Sequence, residues 1–252
     1  VNTSNMRITV VGATGLIGRQ LVPLLRGRGH DVVAASRATG VDLLTGAGLA
    51  DALTGADVVI DVINAPTPED SAQQFFEQTS SNLAAAVRAS SIRHHVVLSI
   101  VGADIMARDA GYLRGKLAQE QAAAGSGVPW TVLRATQFHE LAEPITESMI
   151  RDGEVRAPIA AIQTVDSAEV TAVLAGIATG TPADGVREVG GPQKMSFAEM
   201  ARVVLGRQGH ELPVVDDPAA TYHGIPVDQT TLVTGAGAEL CPTRLADWLV
   251  RH

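Results

Sequence analysis

Seven residues, Gly12-Ala-Thr-Gly15-Leu-Ile-Gly18, limit what this chain can fold into more than any other stretch. The apolar segment Ile8-Thr-Val-Val11 ahead of them reads as a buried strand. Behind them Leu16, Ile17, Leu21, Val22, Leu24 and Leu25 recur at helical spacing over 16–26. Strand, glycine turn and helix in that order make a site for a dinucleotide. Gly12 permits the sharp turn, Gly15 a close approach of backbone to pyrophosphate, and Gly18 tight packing of the helix. The helix start presents unpaired N–H groups to the anion, so Gly12, Thr14, Gly15, Leu16, Ile17 and Gly18 are expected to line the ligand. The alternative is a glycine-rich turn that binds nothing.

The alternation continues through the first 135 residues. Strands are predicted at Arg7–Val11, Asp31–Ala35, Val58–Val62, His95–Leu98 and Trp130–Leu133, with a short extra strand at Asp42-Leu43. Helices are predicted at Leu16–Arg26, Ala47–Leu53, Ser71–Ala89, Gly111–Ala124 and Glu140–Arg151. Pro23 is expected to kink the first helix, because it cannot donate to residue 19. Strands and helices in turn imply an α/β fold of the Rossmann type, a doubly wound parallel sheet. Beyond Arg134 the pattern loosens. A helix is expected over Asp166–Ala178, a strand at Arg187–Val189, and a helix opened by the capping box Ser196/Glu199. Pro213, Pro218, Pro226 and Pro242 suggest a small irregular C-terminal lobe. The division expected is an NADP-binding Rossmann core over 1–138 and, over 139–252, the remaining sheet elements with a smaller substrate lobe, all in a single compact unit.

Bulk properties exclude several functions. A formal charge of −8 lacks the clustered Lys and Arg that nucleic acid requires. No apolar run has the length of a membrane span, and the first residues do not read as a signal peptide. The lone Cys241 rules out an internal disulfide and fits a reducing cytoplasm. No Cys/His cluster at ligand spacing supports a metal. His94-His95 reads as a solvated strand start rather than a ligand pair.

The end of the second strand bears on which dinucleotide fits. It reads Ala34-Ala-Ser36-Arg37, with no carboxylate until Asp42. An acidic residue there would favour NAD, whereas the fork of Arg37 and the hydroxyl of Ser36 suit a 2′-phosphate. NADP(H) is therefore expected, against a solvated surface arginine. Asp42 and Leu43 would lie beside the adenine, unless Asp42 is an ordinary turn residue. Asn64-Ala-Pro66 closes the next strand at the sheet edge that faces the cofactor, so Asn64 would contact it, unless Asn64 only caps a turn.

The chemistry-bearing candidate is Tyr112-Leu-Arg-Gly-Lys116, which uses one of two tyrosines and one of two lysines. Positions i and i+4 share a helix face, and an ammonium near a phenol lowers its pKa toward proton transfer. Ser99, at the end of the preceding strand, would polarise a substrate carbonyl. Two other readings stay open. Tyr112 would merely staple the helix start, and Lys116 would pair with Glu120 in a surface ion pair worth about 0.3–0.5 kcal/mol.

These segments together resemble the short-chain dehydrogenase/reductase superfamily, and more narrowly its atypical NmrA-like and sugar-epimerase-like branch. The resemblance is carried by Val11-Gly-Ala-Thr-Gly-Leu-Ile-Gly18, Leu98-Ser-Ile-Val-Gly102, Tyr112 to Glu120, Trp130-Thr-Val-Leu-Arg-Ala-Thr-Gln-Phe138 and Gly190-Gly-Pro192. It implies that Lys116 holds the nicotinamide ribose and that Tyr112 protonates the substrate oxygen. It also implies that Ala135, Thr136 and Phe138 border the nicotinamide, with Gln137 and His139 in the substrate pocket. The chain departs from the pattern at Ile100, where many extended members carry a second hydroxyl. Ser99 would then sit one position out, on the wrong strand face. The function expected is an NADP(H)-dependent oxidoreductase acting on a small, mostly apolar carbonyl or enone compound, with a homodimer compatible. The alternatives are a non-catalytic NADP(H) sensor, and an isomerase or dehydratase that uses bound dinucleotide.

Overall fold

A computed structural model of the protein describes residues 5–66 and 71–252. They form two compact units. The first takes in the described residues through Ser99, then Ala110–Arg134 and Thr171–Arg187; the second takes in Ile100–Asp109, Ala135–Val170 and Glu188–His252.

The early elements are β1 (Arg7–Val11), α1 (Leu16–Gly27), β2 (Asp31–Ala35), α2 (Leu49–Leu53), β3 (Val58–Asp61), α3 (Ser71–Arg88), β4 (His94–Ile100), α4 (Ala103–Met106), α5 (Gly111–Ala124) and β5 (Trp130–Ala135). The later ones are β6 (Gln137–Phe138), α6 (Ala142–Ser148), β7 (Ile150–Arg151), β8 (Glu154–Pro158), β9 (Ala161–Val165), α7 (Ser167–Ala178), β10 (Gly185–Gly190), β11 (Lys194–Ser196), α8 (Phe197–Gln208), β12 (Val214–Asp217), β13 (Glu239–Leu240) and α9 (Leu245–Arg251).

The fold is α/β and Rossmann-like: a seven-stranded parallel sheet in the order β13-β10-β5-β4-β3-β1-β2, flanked by helices. Val11 lies opposite Ala35 of β2 on one side and Asp61 of β3 on the other. The strand order reverses at β1, which opens a crevice outside the carboxyl ends of β1 and β3. Pleating sends Val11 and Val59 to one face, where they pack with Leu83 and Val87 of α3. On the same face Val97 of β4 packs with Ala123 of α5 and Val132 of β5. Ile8, Val10, Ile60 and Val96 point the other way and are equally buried. Burial on both faces is why these strands read as unbroken apolar runs.

The expected boundaries hold closely in the first part and less well in the second. α1 runs on through Pro23 to Gly27. At α8 the capping box forms, with Ser196 Oγ accepting the Glu199 N–H at 3.1 Å and Glu199 Oε2 accepting the Ser196 N–H at 2.7 Å. The helix expected over Glu140–Arg151 is shorter. It begins at Ala142, which places Pro144 in the first turn, where its missing N–H costs nothing. It gives way to β7, which pairs antiparallel with β8 across Asp152 (φ 50°) and Gly153 (φ 81°), an Asp-Gly hairpin turn. The short strand expected at Asp42-Leu43 is a turn instead. Asp42 meets Ala47 in an isolated antiparallel bridge, and its Oδ1 accepts the Leu44 N–H at 2.9 Å.

His94-His95 is a further correction, since both are buried rather than solvated. β4 is an interior strand, so its first residues already pair with Val58 and Val59 of β3. The C-terminal part is also more regular than its prolines suggest. In the second unit β12 pairs parallel with β8, β11 pairs antiparallel with β9, and α8 buries Phe197, Met200 and Val204. Among the described residues no helix is long and apolar enough to cross a membrane. No group of His, Cys, Asp or Glu among them is placed to hold a metal ion.

Candidate active site

The glycine turn has a shape that side chains would destroy. Gly12 sits at φ +85°, and a Cβ there would lie 2.9 Å from the Val62 carbonyl. A Cβ on Gly18 would lie 2.3 Å from Gly12 O and 2.6 Å from Ala13 Cα, so α1 can seat against the turn only with glycine there. Gly12 and Ala13 N–H both donate to Ala35 O, at 3.1 and 3.3 Å, and the Gly15 N–H donates to Gly12 O at 3.0 Å. The first bond of α1 runs from Arg19 N–H to Gly15 O at 3.0 Å. Among the described residues this leaves the N–H groups of Thr14, Leu16, Ile17 and Gly18 without an acceptor. No acidic side chain occupies the first turn of α1, and Leu16 is 37% exposed. The positive end of the helix dipole is thus open, and the cradle fits a diphosphate.

At the end of β2, Thr39 Oγ1 accepts the Ser36 N–H at 2.9 Å and donates to Ala34 O at 2.8 Å, which fixes the turn. The side chain of Arg37 is exposed there. Leu43 is buried in the core, and its carbonyl accepts from Asn82 Nδ2 at 2.8 Å. Asp42 is half-buried in the turn already described.

Tyr112 and Lys116 both lie on α5, and Asn64 closes the loop after β3. The Tyr112 hydroxyl donates to Asn64 Oδ1 at 2.7 Å, and the ring packs edge-on to Phe76 of α3 at 5.5 Å between centroids. Burial pushes the phenol up to about 12, with the Asn64 bond opposing it. The phenol therefore keeps its proton, where a lowered value was expected. The Lys116 ammonium explains the difference in part, because it is turned inward. It donates to Leu98 O at 2.7 Å and to Gln119 Oε1, and it lies 5.1 Å above the Phe76 ring. Burial lowers Lys116 to about 8, opposed by the charges of Asp61 and Glu120. Lys116 is thus no surface residue, and Glu120 is no surface partner. Glu120 instead takes Arg134 Nη2 at 2.8 Å and Arg134 Nε at 3.0 Å, and also the Ser99 hydroxyl. The structure therefore brings Tyr112, Lys116 and Asn64 together in one unit, and commits Ser99 to Glu120.

Ala135 to His139 belong to the second unit. Ala135 O accepts the Val101 N–H at 2.9 Å, and the Thr136 N–H donates to Val189 O at 3.0 Å. Thr136 Oγ1 is buried without a partner among the described residues. Gln137 and Phe138 pair with Thr164 and Val165 of β9. His139 is buried, with Nδ1 at 2.9 Å from Thr164 Oγ1 and Nε2 at 3.1 Å from Thr243 O. Both ring nitrogens are thereby used within that unit.

Three residues that sequence reasoning passed over belong to the first unit's site, Asp61, Gln119 and Arg134, and Glu120, read from the sequence only as a surface partner of Lys116, is a fourth member. Each is a polar residue where the pattern calls for an apolar one. Asp61 ends the run Val58-Val-Ile, Arg134 interrupts an interior strand, and Gln119 and Glu120 share the buried side of α5 with Lys116. Such misfits are the signal that could have found them.

Fold and cradle together define a Rossmann-type dinucleotide-binding protein. The chain belongs to the NAD(P)H-binding family, whose model matches residues 12–180. It is 33% identical over 219 residues to the (4-alkanoyl-5-oxo-2,5-dihydrofuran-3-yl)methyl phosphate reductase of Streptomyces griseus, covering 79% of this chain and 74% of that protein. Among solved structures it resembles the Bordetella bronchiseptica enzyme WbmG in complex with NAD, with a TM-score of 0.73, 18% identity and coverage of 99% of this chain and 93% of that one. It likewise resembles the Bacillus anthracis dTDP-4-dehydrorhamnose reductase in complex with NADP, with a TM-score of 0.72, 14% identity and 98% of each chain covered. At those identities the likeness is one of fold, and the fold accommodates either dinucleotide. Family membership and the reductase relative support a dinucleotide-dependent oxidoreductase.

Proposed function

We propose that this chain is an NADP(H)-dependent reductase of the short-chain dehydrogenase/reductase type, acting on a small, mostly apolar carbonyl or enone compound. One observation carries the reading. The Tyr112 phenol and the buried Lys116 side chain stand one helical turn apart on α5, in the unit that holds the open diphosphate cradle.

When bound, the reduced nicotinamide supplies a hydride. The backbone of 12–18 holds the diphosphate, and Arg37 with Ser36 takes the 2′-phosphate. A phenol near 12 keeps its proton at neutral pH and yields it to an oxygen on which negative charge has built up. Tyr112 is that donor, steadied by Asn64 until the substrate oxygen replaces the amide as its acceptor. Lys116 adds a positive charge one helical turn away and would hold the ribose. Ser99 secures the end of β4 through Glu120. The reductase relative is named for the methyl phosphate of an acylated, unsaturated lactone, whose unsaturated carbonyl supports the enone class for this chain.

The test follows oxidation of NADPH and NADH with a panel of quinones, enones and ketones, in wild type, Tyr112→Phe and Lys116→Ala. Turnover by wild type that collapses in both variants supports the reading. Equal cofactor binding in all three proteins, with turnover in none, contradicts it and favours a sensor.

A further inference from the structure

A buried cluster of two cations and two anions lies where the ends of β3, β4 and β5 meet α5. Arg134 and Glu120 satisfy each other through a two-pronged contact, and Ser99 takes a further bond to Glu120. Asp61 and Lys116 remain. Asp61 is 2% exposed and sits opposite Val97 of β4, which packs on Ala123 of α5. Strand pleating turns Asp61 to that same face. Its Oδ1 accepts the Ile63 N–H at 3.0 Å, which leaves the carboxylate charge itself unanswered. A carboxylate at that depth is strongly disfavoured without a cation. Lys116, 4% exposed, is anchored at Leu98 O, one residue along from Val97.

We propose that Asp61 is the counter-ion that keeps Lys116 charged, and that Gln119 is a positioning residue which, with Leu98 O, sets the direction of the ammonium. The mutual attraction of the two groups works in that direction, lowering the Asp61 carboxyl and raising Lys116, against burial, which does the reverse to each. Burial raises the Asp61 carboxyl, opposed by Gln119, the Ile63 N–H and the attraction of Lys116. Gln119 acts there although its Nε2 completes no hydrogen bond of ordinary length. The other charged or titratable groups on α5, α3 and β4 do not replace Asp61. Glu120 is claimed by Arg134, Tyr112 on α5 is neutral, Phe76 of α3 offers only its ring, and His95 on β4 is uncharged above about pH 4. The pair holds the ammonium in the state that the proposed reductase needs. The inference rests on that role for Lys116.

The experiment needs neither cofactor nor turnover, so its failure is separable from failure of the reductase assignment. The chain has two lysines, Lys116 and Lys194, so side-chain carbon NMR of lysine-labelled protein resolves Lys116, identified by its loss in Lys116→Arg. In Asp61→Asn the Lys116 midpoint falls by about one to three pH units, and Asp61→Glu restores it, while Lys194 does not move. In Gln119→Leu the Lys116 ammonium protons exchange with water faster. Wild type alone gives a second readout should Asp61→Asn not fold: the Asp61 carboxyl carbon shifts with the midpoint of Lys116. An unmoved Lys116 midpoint in folded Asp61→Asn overturns the counter-ion assignment, as does an Asp61 carbon that stays flat through the Lys116 transition. Unchanged exchange in Gln119→Leu overturns the role of Gln119.

Discussion

Arg134 grips Glu120 in a two-pronged contact, with Nε 3.0 Å from Oε1 and Nη2 2.8 Å from Oε2. Because Oε1 also takes the Ser99 hydroxyl, one carboxylate ties β4, α5 and β5 together. Glu120→Ala removes the two-pronged partner of a nearly buried guanidinium and is expected to cost about 3 kcal/mol of stability, measured by urea unfolding. Ser99→Ala removes one bond to a shared acceptor and should keep turnover within about tenfold of wild type, an effect near the size of one hydrogen bond. A loss of turnover as deep as that of Tyr112→Phe would return Ser99 to the substrate.

Tyr112→Phe keeps the ring against Phe76 and removes the proton. Its turnover is expected to fall by about 10²–10⁴-fold, with the dissociation constant for NADPH unchanged. Steady-state kinetics beside fluorescence binding separates the two quantities. Weakened binding with intact turnover would assign Tyr112 to packing.

Arg37 is exposed after β2. If its guanidinium takes a 2′-phosphate, Arg37→Ala should weaken NADPH by about 10–100-fold, the worth of a charge-assisted hydrogen bond. NADH should be unaffected. Parallel titrations of both dinucleotides decide it, and equal losses for the two would place Arg37 elsewhere.

Burial lowers both His94 and His95 to about 4 in the folded protein. The unfolded chain therefore binds protons first, as pH falls through about 6.5. Stability is full above that pH and declines from there toward pH 4, by up to about 1.4 kcal/mol per unit for each ring. His95→Leu should flatten that slope in urea melts taken across the window. A slope identical to wild type would show that His95 is not buried neutral.

Much of the fold was legible because apolar period and glycine position act locally. β1, the glycine turn and α1 follow from residues 7–27, and Gly111–Ala124 is a helix with the boundaries that its composition implies. The second unit was less legible, because β6, β9 and β11 are short strands held by partners distant in the chain, which local pattern does not record. At the site, Tyr112 and Lys116 stood out by scarcity and spacing. Asp61 and Arg134 did not, since a single polar residue in an apolar strand declares its role only when its partner on another element is known. The phenol's high pKa was missed for a related reason. Spacing put an ammonium near it, but burial and the turn of Lys116 toward Leu98 O depend on the packed structure.

Calorimetric titration of NADPH and NADH into wild type and Gly18→Ala bears most directly on the glycine turn as a diphosphate seat. The expected result is one NADPH per wild-type chain, bound at least about tenfold more tightly than NADH, and none in Gly18→Ala, where the new Cβ would meet Gly12 O at 2.3 Å. Absence of binding of either dinucleotide to the wild-type chain, or undiminished binding by a folded Gly18→Ala, would contradict it.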